Sequence, residues 1–280
     1  PAPIVAEKAI KSGIETVINF FSSAVAEEIV RSHGKAKVIT GTNVFAHLHE
    51  IHDAVEGMKI LLANNGVIVI EAPYSLELIQ KLEYDTIYHQ HVGYLSVQPM
   101  KLYFEKMGME LFDVEPMSIH GGTLRYYVGH KSAHQVSERV AEYIRVEKSY
   151  GLYSLKTLDE FRNEVETGRE KLLELLGRLK REGSRIVGIS APAKGNTLLN
   201  YCKIDTMLLD FVTEKAALKV GRFTPGTHIP IYDDQRILVD KPDYALILAW
   251  NFADEIMKNL QEYRDLGGKF IIPIPTPKIM

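Results

Sequence analysis

The sequence predicts an α/β protein in two parts, a doubly wound domain and a smaller Rossmann-like domain, joined by a helical pair. Three observations support the α/β reading. Val67-Ile-Val-Ile-Glu71 is an apolar, β-branched run of strand length. A second such run, Arg185-Ile-Val-Gly-Ile-Ser190, follows a long helical stretch and opens a new series of strands. Around both runs, strand-like segments alternate with stretches of 3.6-residue periodicity, the order expected of parallel sheets with crossover helices. The expected boundaries are residues 1–130 for the first domain and 131–280 for the helical pair plus second domain.

The elements read in order as follows. Ile4–Ser12 suggests a helix stopped at Gly13. Thr16–Phe21 suggests a short strand, Ala24–Ser32 a helix, and Ala36–Thr40 a strand running into Gly41-Thr-Asn43. Ile51, Ala54, Val55, Met58, Leu61 and Leu62 share one helix face. Asn64-Asn-Gly66 suggests a turn before the Val67–Glu71 strand. Pro99–Gly108 then suggests a helix, Glu110–Val114 and Thr123–Val128 late strands, and Gln135–Lys148 and Leu155–Arg181 two long helices. The second of these carries a leucine-rich stripe suited to a core or an interface. After the 185–190 strand come Thr197–Cys202, strands at Leu208–Val212 and Tyr244–Ala249, a helix at Asp254–Leu266 and a closing strand at Lys269–Ile274.

Composition excludes several classes. The 280 residues carry a formal charge of -3, which provides no footprint for nucleic acid or an anionic membrane. No apolar run approaches the ~20 residues of a membrane span, and no signal peptide is visible. The single cysteine, Cys202, cannot form an internal disulfide, and a reducing cytoplasm is the expected location. The sequence is silent on oligomeric state. His47-Leu-His-Glu-Ile-His52 invites a metal reading, but no carboxylate pattern completes a ligand set, so no metal is expected.

The densest chemistry lies in Asp85-Thr-Ile-Tyr-His-Gln-His-Val-Gly-Tyr-Leu-Ser96, which places Tyr88, His89, Gln90, His91 and Tyr94 just past a buried strand. Imidazoles move protons near neutral pH, phenols donate to a developing oxyanion, and open α/β sheets bind ligands beyond the carboxyl ends of their strands. Gly188-Ile-Ser-Ala-Pro-Ala-Lys-Gly-Asn-Thr197 joins a strand to a helix whose first N–H groups favour phosphate. It is not a Walker loop, because Lys194 precedes its glycine. Lys194, Asn196 and Thr197 there, with Arg222, Thr224 and Thr227 in a Gly/Pro-rich loop, are candidate contacts for an anionic ligand. His120-Gly-Gly122 permits close backbone approach, making Gly121 and Gly122 candidate substrate contacts and His120 a reserve acid or base.

In order, Thr40–His47, a helix and Leu62–Glu71 resemble the second half of a class I S-adenosylmethionine (SAM) methyltransferase domain. That resemblance implies SAM as cofactor, with Asn43, Val44 and His47 lining it and Phe20 flanking its adenine. Taken together, Asp85–Ser96, His120–Arg125, Ala191–Tyr201, Gly221–Pro230 and Trp250-Asn-Phe252 make the whole chain resemble the SAM-dependent sugar C-3 methyltransferases of deoxysugar biosynthesis. The resemblance implies methylation at carbon 3 of a nucleotide-linked 4-keto deoxysugar, by proton removal next to the ketone and methyl transfer to the enolate. His91 is then the expected base, Tyr88 the group on the enolate oxygen, Tyr94 its second, and Asn251 a substrate contact.

The chain departs from the family pattern in two ways. Gln90 stands where the family has a glutamate between the two histidines, so a role needing a carboxylate there is in doubt. The cysteine-rich zinc module, the glycine-rich SAM loop and the ribose-binding acid of the family have no counterpart in these residues, and weak SAM affinity is expected on that ground. Two rival readings follow, a non-catalytic nucleotide-sugar-binding fragment or paralogue and a nicotinamide-dependent oxidoreductase. The second lacks the Gly-x-Gly-x-x-Gly fingerprint after the 185–190 strand.

Overall fold

The computed structural model describes residues 2–117 and 122–280. The fold is mixed α/β and forms two compact units. Of the described residues, the first comprises 2–74, 92–117 and 123–149, and the second 75–91, 122 and 150–280.

The first unit opens with helix α1 (Pro3–Lys11), which buries none of its residues, and α2 (Ser23–His33), capped by the Ser22 hydroxyl accepting from Val25 N–H at 3.2 Å. Strand β1 (Ala36–Thr42), α3 (Ile51–Leu61) and β2 (Leu62–Pro73) follow. Gly57 of α3 meets the chain before α2 so closely that a Cβ there would lie 2.7 Å from Ser22 O. After the second unit's α4 (Ser75–Gln80) come α5 (Val97–Lys106), β3 (Met109–Met117), β4 (Thr123–His130) and α6 (Glu138–Tyr150). The sheet order is β1-β2-β4-β3, with β1 parallel to β2 and the other pairings antiparallel. Ile68 and Ile70 of β2 pack with Tyr126 and Val128 of β4, all fully buried. Glu71, buried on the central strand, is neutralised by Arg125 directly opposite on β4, Nε to Oε2 2.6 Å.

One buried carboxylate organises this unit. Glu147 of α6 accepts from Val97 N–H (2.6 Å), Gln98 N–H (3.0 Å) and the Tyr74 hydroxyl (3.0 Å). A side chain fifty positions away in sequence thus caps α5, just after the Tyr/His stretch ends. Leu95 forms a bridge with Tyr74, and the N–H groups of Val92 and Gly93 donate to Ala46 O, so the end of that stretch is tied down at several points.

The second unit contains α7 (Leu155–Arg181), β5 (Ile186–Ile189), α8 (Ala193–Cys202), β6 (Val212–Glu214), β7 (Ile231–Asp233), α9 (Arg236–Asp240), β8 (Tyr244–Ile247), α10 (Ala253–Asn259), α11 (Gln261–Asp265), β9 (Lys269–Ile272) and β10 (Lys278–Ile279). Its six-stranded sheet has the order β10-β9-β8-β5-β6-β7 and is parallel except for β10. Every residue of β5 is buried, as a central parallel strand requires. Leu172, Leu176 and Leu179 of α7 and Leu198, Leu199 and Cys202 of α8 pack in the core around it.

Four local expectations are corrected. Residues 16–21 form no strand and lie largely exposed, because β propensity without a pairing partner does not make one. Asn64-Asn-Gly66 is no turn but part of β2. A Cβ on Gly66 would stand 3.0 Å from Ala36 O, so this glycine serves close strand approach beside the irregularity in β1. The strand expected at 208–212 begins only at Val212, where pairing with β7 starts. The helix expected over 254–266 is broken at Leu260, whose φ is −108° and ψ 32°. Of the α7 stripe, Val165, Leu172, Leu176 and Leu179 are buried, whereas Leu155 and Leu158 are exposed.

Candidate active site

The second unit holds a cavity of about 550 Å³ beside the carboxyl end of β5. One wall is Tyr88, His89 and Gln90. The other is the start of α8 (Ala193, Asn196, Thr197) with Arg222, Phe223 and Thr224. The two stretches that the sequence marked separately, the Tyr/His loop and the strand-to-helix turn, therefore share one cavity. Gly195 allows α8 to lie against the end of β8, since a Cβ on it would stand 2.8 Å from the Leu248 Cβ.

The polar groups of this cavity differ in how they are engaged. Arg222 is exposed on the rim and has no carboxylate partner among the described residues. Asn196 has a buried side-chain oxygen with no hydrogen-bond partner, on the cavity wall. Thr197 donates its hydroxyl within α8 to Ala193 O (3.3 Å). Thr224 is committed to its own loop, its hydroxyl oxygen accepting from Ile229 N–H at 2.9 Å and lying 2.7 Å from the Thr227 hydroxyl. Asn200 ties that loop to α8 by donating to Pro225 O (3.0 Å). Lys194 does not line the cavity. Its ammonium lies over the Trp250 ring, 4.6 Å from the centroid. Asn251 follows Trp250, with both amide atoms buried and without hydrogen-bond partners. Phe223 and Lys219 also form the wall and were not singled out from the sequence. Phe223 stood within the Gly221–Pro230 motif, where an exposed aromatic next to Arg222 was the available signal.

Tyr88 and His91 form a pair. The rings are 4.2 Å apart, His91 Nδ1 lies 2.7 Å from Thr86 O, and His91 Nε2 lies 3.1 Å from the Tyr88 hydroxyl. A carbonyl can only accept, so Nδ1 carries the proton, and Nε2 is left as the acceptor facing the phenol. Tyr88 lines the cavity and His91 stands behind it, half-buried. Burial, and then the charge of Asp85, push the Tyr88 phenol above its ordinary pKa, so it remains a donor through the neutral range. Tyr94 lies in the first unit and is exposed. Gly122 has φ 139° and packs against the Glu77 side chain, while His120 and Gly121 lie outside the described residues.

A methyl donor needs a place as well. Asn43 follows the carboxyl end of β1 in the left-handed region (φ 54°), its N–H donating to Glu71 O at 2.8 Å across the parallel pair. Val44 is 49% and Phe20 74% exposed, and His47 closes the short 3-10 turn Phe45–His47. The exposed Phe20 ring, the exposed Val44 side chain and the polar side chains of Asn43 and His47 beyond β1 are chemically compatible with a nucleoside bearing an amino-acid tail. Among the described residues no cluster of three or more His, Cys, Asp or Glu could hold a metal. His52 Nδ1 lies 3.1 Å from the Tyr103 hydroxyl instead. No helix among them is long and apolar enough to cross a membrane.

A second cavity of about 260 Å³, at the ends of β5, β6 and β7, is lined by Glu214 and Asp234. Burial alone would raise the Glu214 carboxyl. Hydrogen bonds from the N–H groups of Ala216 and Ala191, and from Lys219, win and hold it low.

A mixed α/β first unit followed by a second α/β unit is consistent with a class I SAM methyltransferase fold plus a second domain. Comparison with known proteins agrees. Residues 2–114 match a family model described as a methyltransferase domain, and residues 118–275 match the C-methyltransferase C-terminal domain. The C-methyltransferase NovU of Streptomyces niveus is 36% identical over 281 residues, covering 100% of this chain and 67% of that protein. The chain belongs to this C-methyltransferase family, and it is a SAM-dependent methyltransferase. That assignment favours methyl transfer over both the oxidoreductase and the binding-only readings.

Proposed function

We propose that the protein methylates carbon 3 of a nucleotide-linked 4-keto deoxysugar. The observation that carries this reading is the composition of the 550 Å³ cavity, with a Tyr/His wall facing a helix start and an uncompensated arginine. Such a cavity suits a ligand that is acidic at carbon at one end and anionic at the other. Arg222 and the first N–H groups of α8 take the diphosphate, Phe223 offers a stacking face for the base, and the Asn196 oxygen accepts from a hydroxyl or base N–H.

The ketone acidifies the neighbouring C–H. Once the Tyr88 hydroxyl has turned off it, His91 Nε2 accepts that proton, and the electron pair of the C–H bond becomes the enolate. The Tyr88 hydroxyl, kept protonated, turns from His91 to the enolate oxygen and donates to it. Gln90 orients the sugar by hydrogen bonding and holds no charge. Tyr94, His120, Gly121, Gly122, Thr197, Thr224 and Asn251 remain secondary contacts in this proposal. SAM, when bound, supplies the methyl group as a sulfonium electrophile that the enolate carbon attacks, with the S–CH3 electrons leaving on sulfur. Asn43, Val44 and His47 would hold its methionine end, and Phe20 would flank the adenine.

The test is incubation with SAM and a thymidine-diphospho-4-keto-6-deoxysugar, with the product read by mass spectrometry and NMR. The expected product carries one new methyl group on the carbon beside the ketone. Methylation at oxygen or nitrogen, or none on any nucleotide keto sugar, contradicts the proposal.

A further inference from the structure

Beneath the Tyr88–His91 pair lies a buried polar assembly to which the reaction as described assigns no role. Asp85 has no exposed surface and sits in the middle of the 3-10 turn Tyr84–Thr86. Its Oδ2 accepts from Trp250 Nε1–H at 2.8 Å, and its Oδ1 has no hydrogen-bond partner. The face of the same indole carries the Lys194 ammonium, so one side chain touches both charges. Glu83, also buried, precedes the turn, and one of its oxygens likewise lacks a partner. Lys194 belongs to the first turn of α8, whose neighbours Ala193, Asn196 and Thr197 face the cavity.

The turn matters because of its last residue. Thr86 O is the acceptor that fixes His91 in the Nδ1–H tautomer and leaves Nε2 for the proton. Thr86 is itself fixed by its N–H and hydroxyl donating to Glu83 O, at 3.0 and 2.7 Å. Asp85 lies between these bonds, and its charge also acts on the Tyr88 phenol.

We propose that Asp85, held by the edge of the Trp250 indole whose face carries Lys194, is a positioning residue for the Tyr88–His91 pair. It touches neither substrate nor cofactor. It holds the turn whose carbonyl sets the imidazole tautomer, and its charge adds to the burial that raises the phenol. Lys194 is thereby a counter-ion of the turn and not a phosphate ligand. The groups facing this carboxylate are Glu83, Tyr84 and Tyr88 on its own segment, Lys194 and Cys202 from α8 and Trp250 beyond β8, with Glu77 of α4 and Lys81 just past it acting on Glu83. Burial dominates for both acids, pushing Glu83 up to about 7 and Asp85 to about 6, while Lys194 opposes it. The same burial lowers the Lys194 ammonium, and the two acids oppose that.

The role in catalysis rests on the reading of His91 as base, whereas the tautomer does not, so the test includes both. The imidazole nitrogens of His91 are observed by ¹⁵N NMR in the parent and in Asp85→Asn, and kcat and KM are measured against pH. Asn keeps the shape and an oxygen for the Trp250 N–H but removes the charge. The expected result is a His91 no longer confined to the Nδ1–H form. Alongside it, kcat falls roughly a hundredfold, the scale of a 1 Å misplacement, and KM for the nucleotide sugar stays within about threefold. The alkaline limb of the kcat profile also moves to lower pH, because the phenol has lost the charge that held its proton. Lys194→Met keeps the carboxylate but removes its counter-ion, so it loosens the tautomer and lowers kcat even if Asp85→Asn does not fold, without moving the alkaline limb to lower pH, and Lys194→Arg restores both in part. An unchanged tautomer and an unchanged alkaline limb overturn the proposal, even with a lower kcat, because they leave Asp85 a merely structural role. A Lys194→Met enzyme with raised KM and normal kcat also overturns it, by making Lys194 a substrate ligand. If His91→Ala retains full activity, the assignment of the base fails, while the NMR result still decides what Asp85 does.

Discussion

Replacing Glu147 by alanine tests how the Tyr/His stretch is anchored at its far end. The carboxylate is fully buried and accepts three hydrogen bonds, two from the first N–H groups of α5 and one from the Tyr74 hydroxyl. A hydrogen bond to a charged group contributes about 1.5–3 kcal/mol, and a buried donor left alone loses about 1–3 kcal/mol. Gln98 N–H is only partly buried and regains water, while Val97 N–H and the Tyr74 hydroxyl do not. The expected loss is therefore about 4 kcal/mol, which lowers Tm by roughly 10 °C for a chain of this size. Glu147→Gln keeps one acceptor oxygen but turns an NH2 group toward a backbone N–H, so it should lose about half as much. Differential scanning calorimetry measures both. Tyr74→Phe supplies a cycle, because it should destabilise the parent by about 1 kcal/mol and the Glu147→Ala background by almost nothing. A Glu147→Ala protein melting within about 2 °C of the parent would refute the capping account.

Three further outcomes are expected. Glu83 has a folded-state pKa raised to about 7 from 4.5, so the native state binds the extra proton and stability falls as pH rises through that window. The loss reaches roughly 3 kcal/mol above it, and Glu83→Gln should flatten this slope in chemical denaturation between pH 5 and 8. Arg222→Ala should raise KM for the nucleotide sugar about tenfold, on the scale of one charge-assisted contact, with kcat nearly unchanged in steady-state assays. Gly195→Ala must push α8 away from Leu248 and so weaken nucleotide-sugar affinity in calorimetric titration, whereas Gly183→Ala, with nothing within 4 Å of its Cβ but φ 84°, should alter stability alone.

Much of the scaffold was legible because it rests on local pattern. The 67–71 and 185–190 runs are central strands, and Leu155–Arg181 is a helix with those bounds, announced by its leucine period. The Tyr/His loop and the α8 start were both visible as chemistry, but their convergence on one cavity was not, since sequence gives no distance between residue 88 and residue 196. Glu147 looked like one more charge on a polar helix, and only packing makes it a cap. Lys194 was read as a donor to phosphate from its place at a helix start. The aromatic that claims it, Trp250, is fifty-six positions away in the sequence. Asn64-Asn-Gly66 misled because glycine marks both turns and close strand approach, and the partner that decides between them, Ala36, is distant in sequence.

Proton abstraction is the step on which the account turns, and it can be observed without methyl transfer. In deuterated water, NMR of a thymidine-diphospho-4-keto-6-deoxysugar follows exchange of the hydrogen on the carbon beside the ketone. The account predicts rapid exchange with the parent protein and loss of exchange with His91→Ala, while the sugar nucleotide still binds. Exchange at the parent rate in His91→Ala would contradict it.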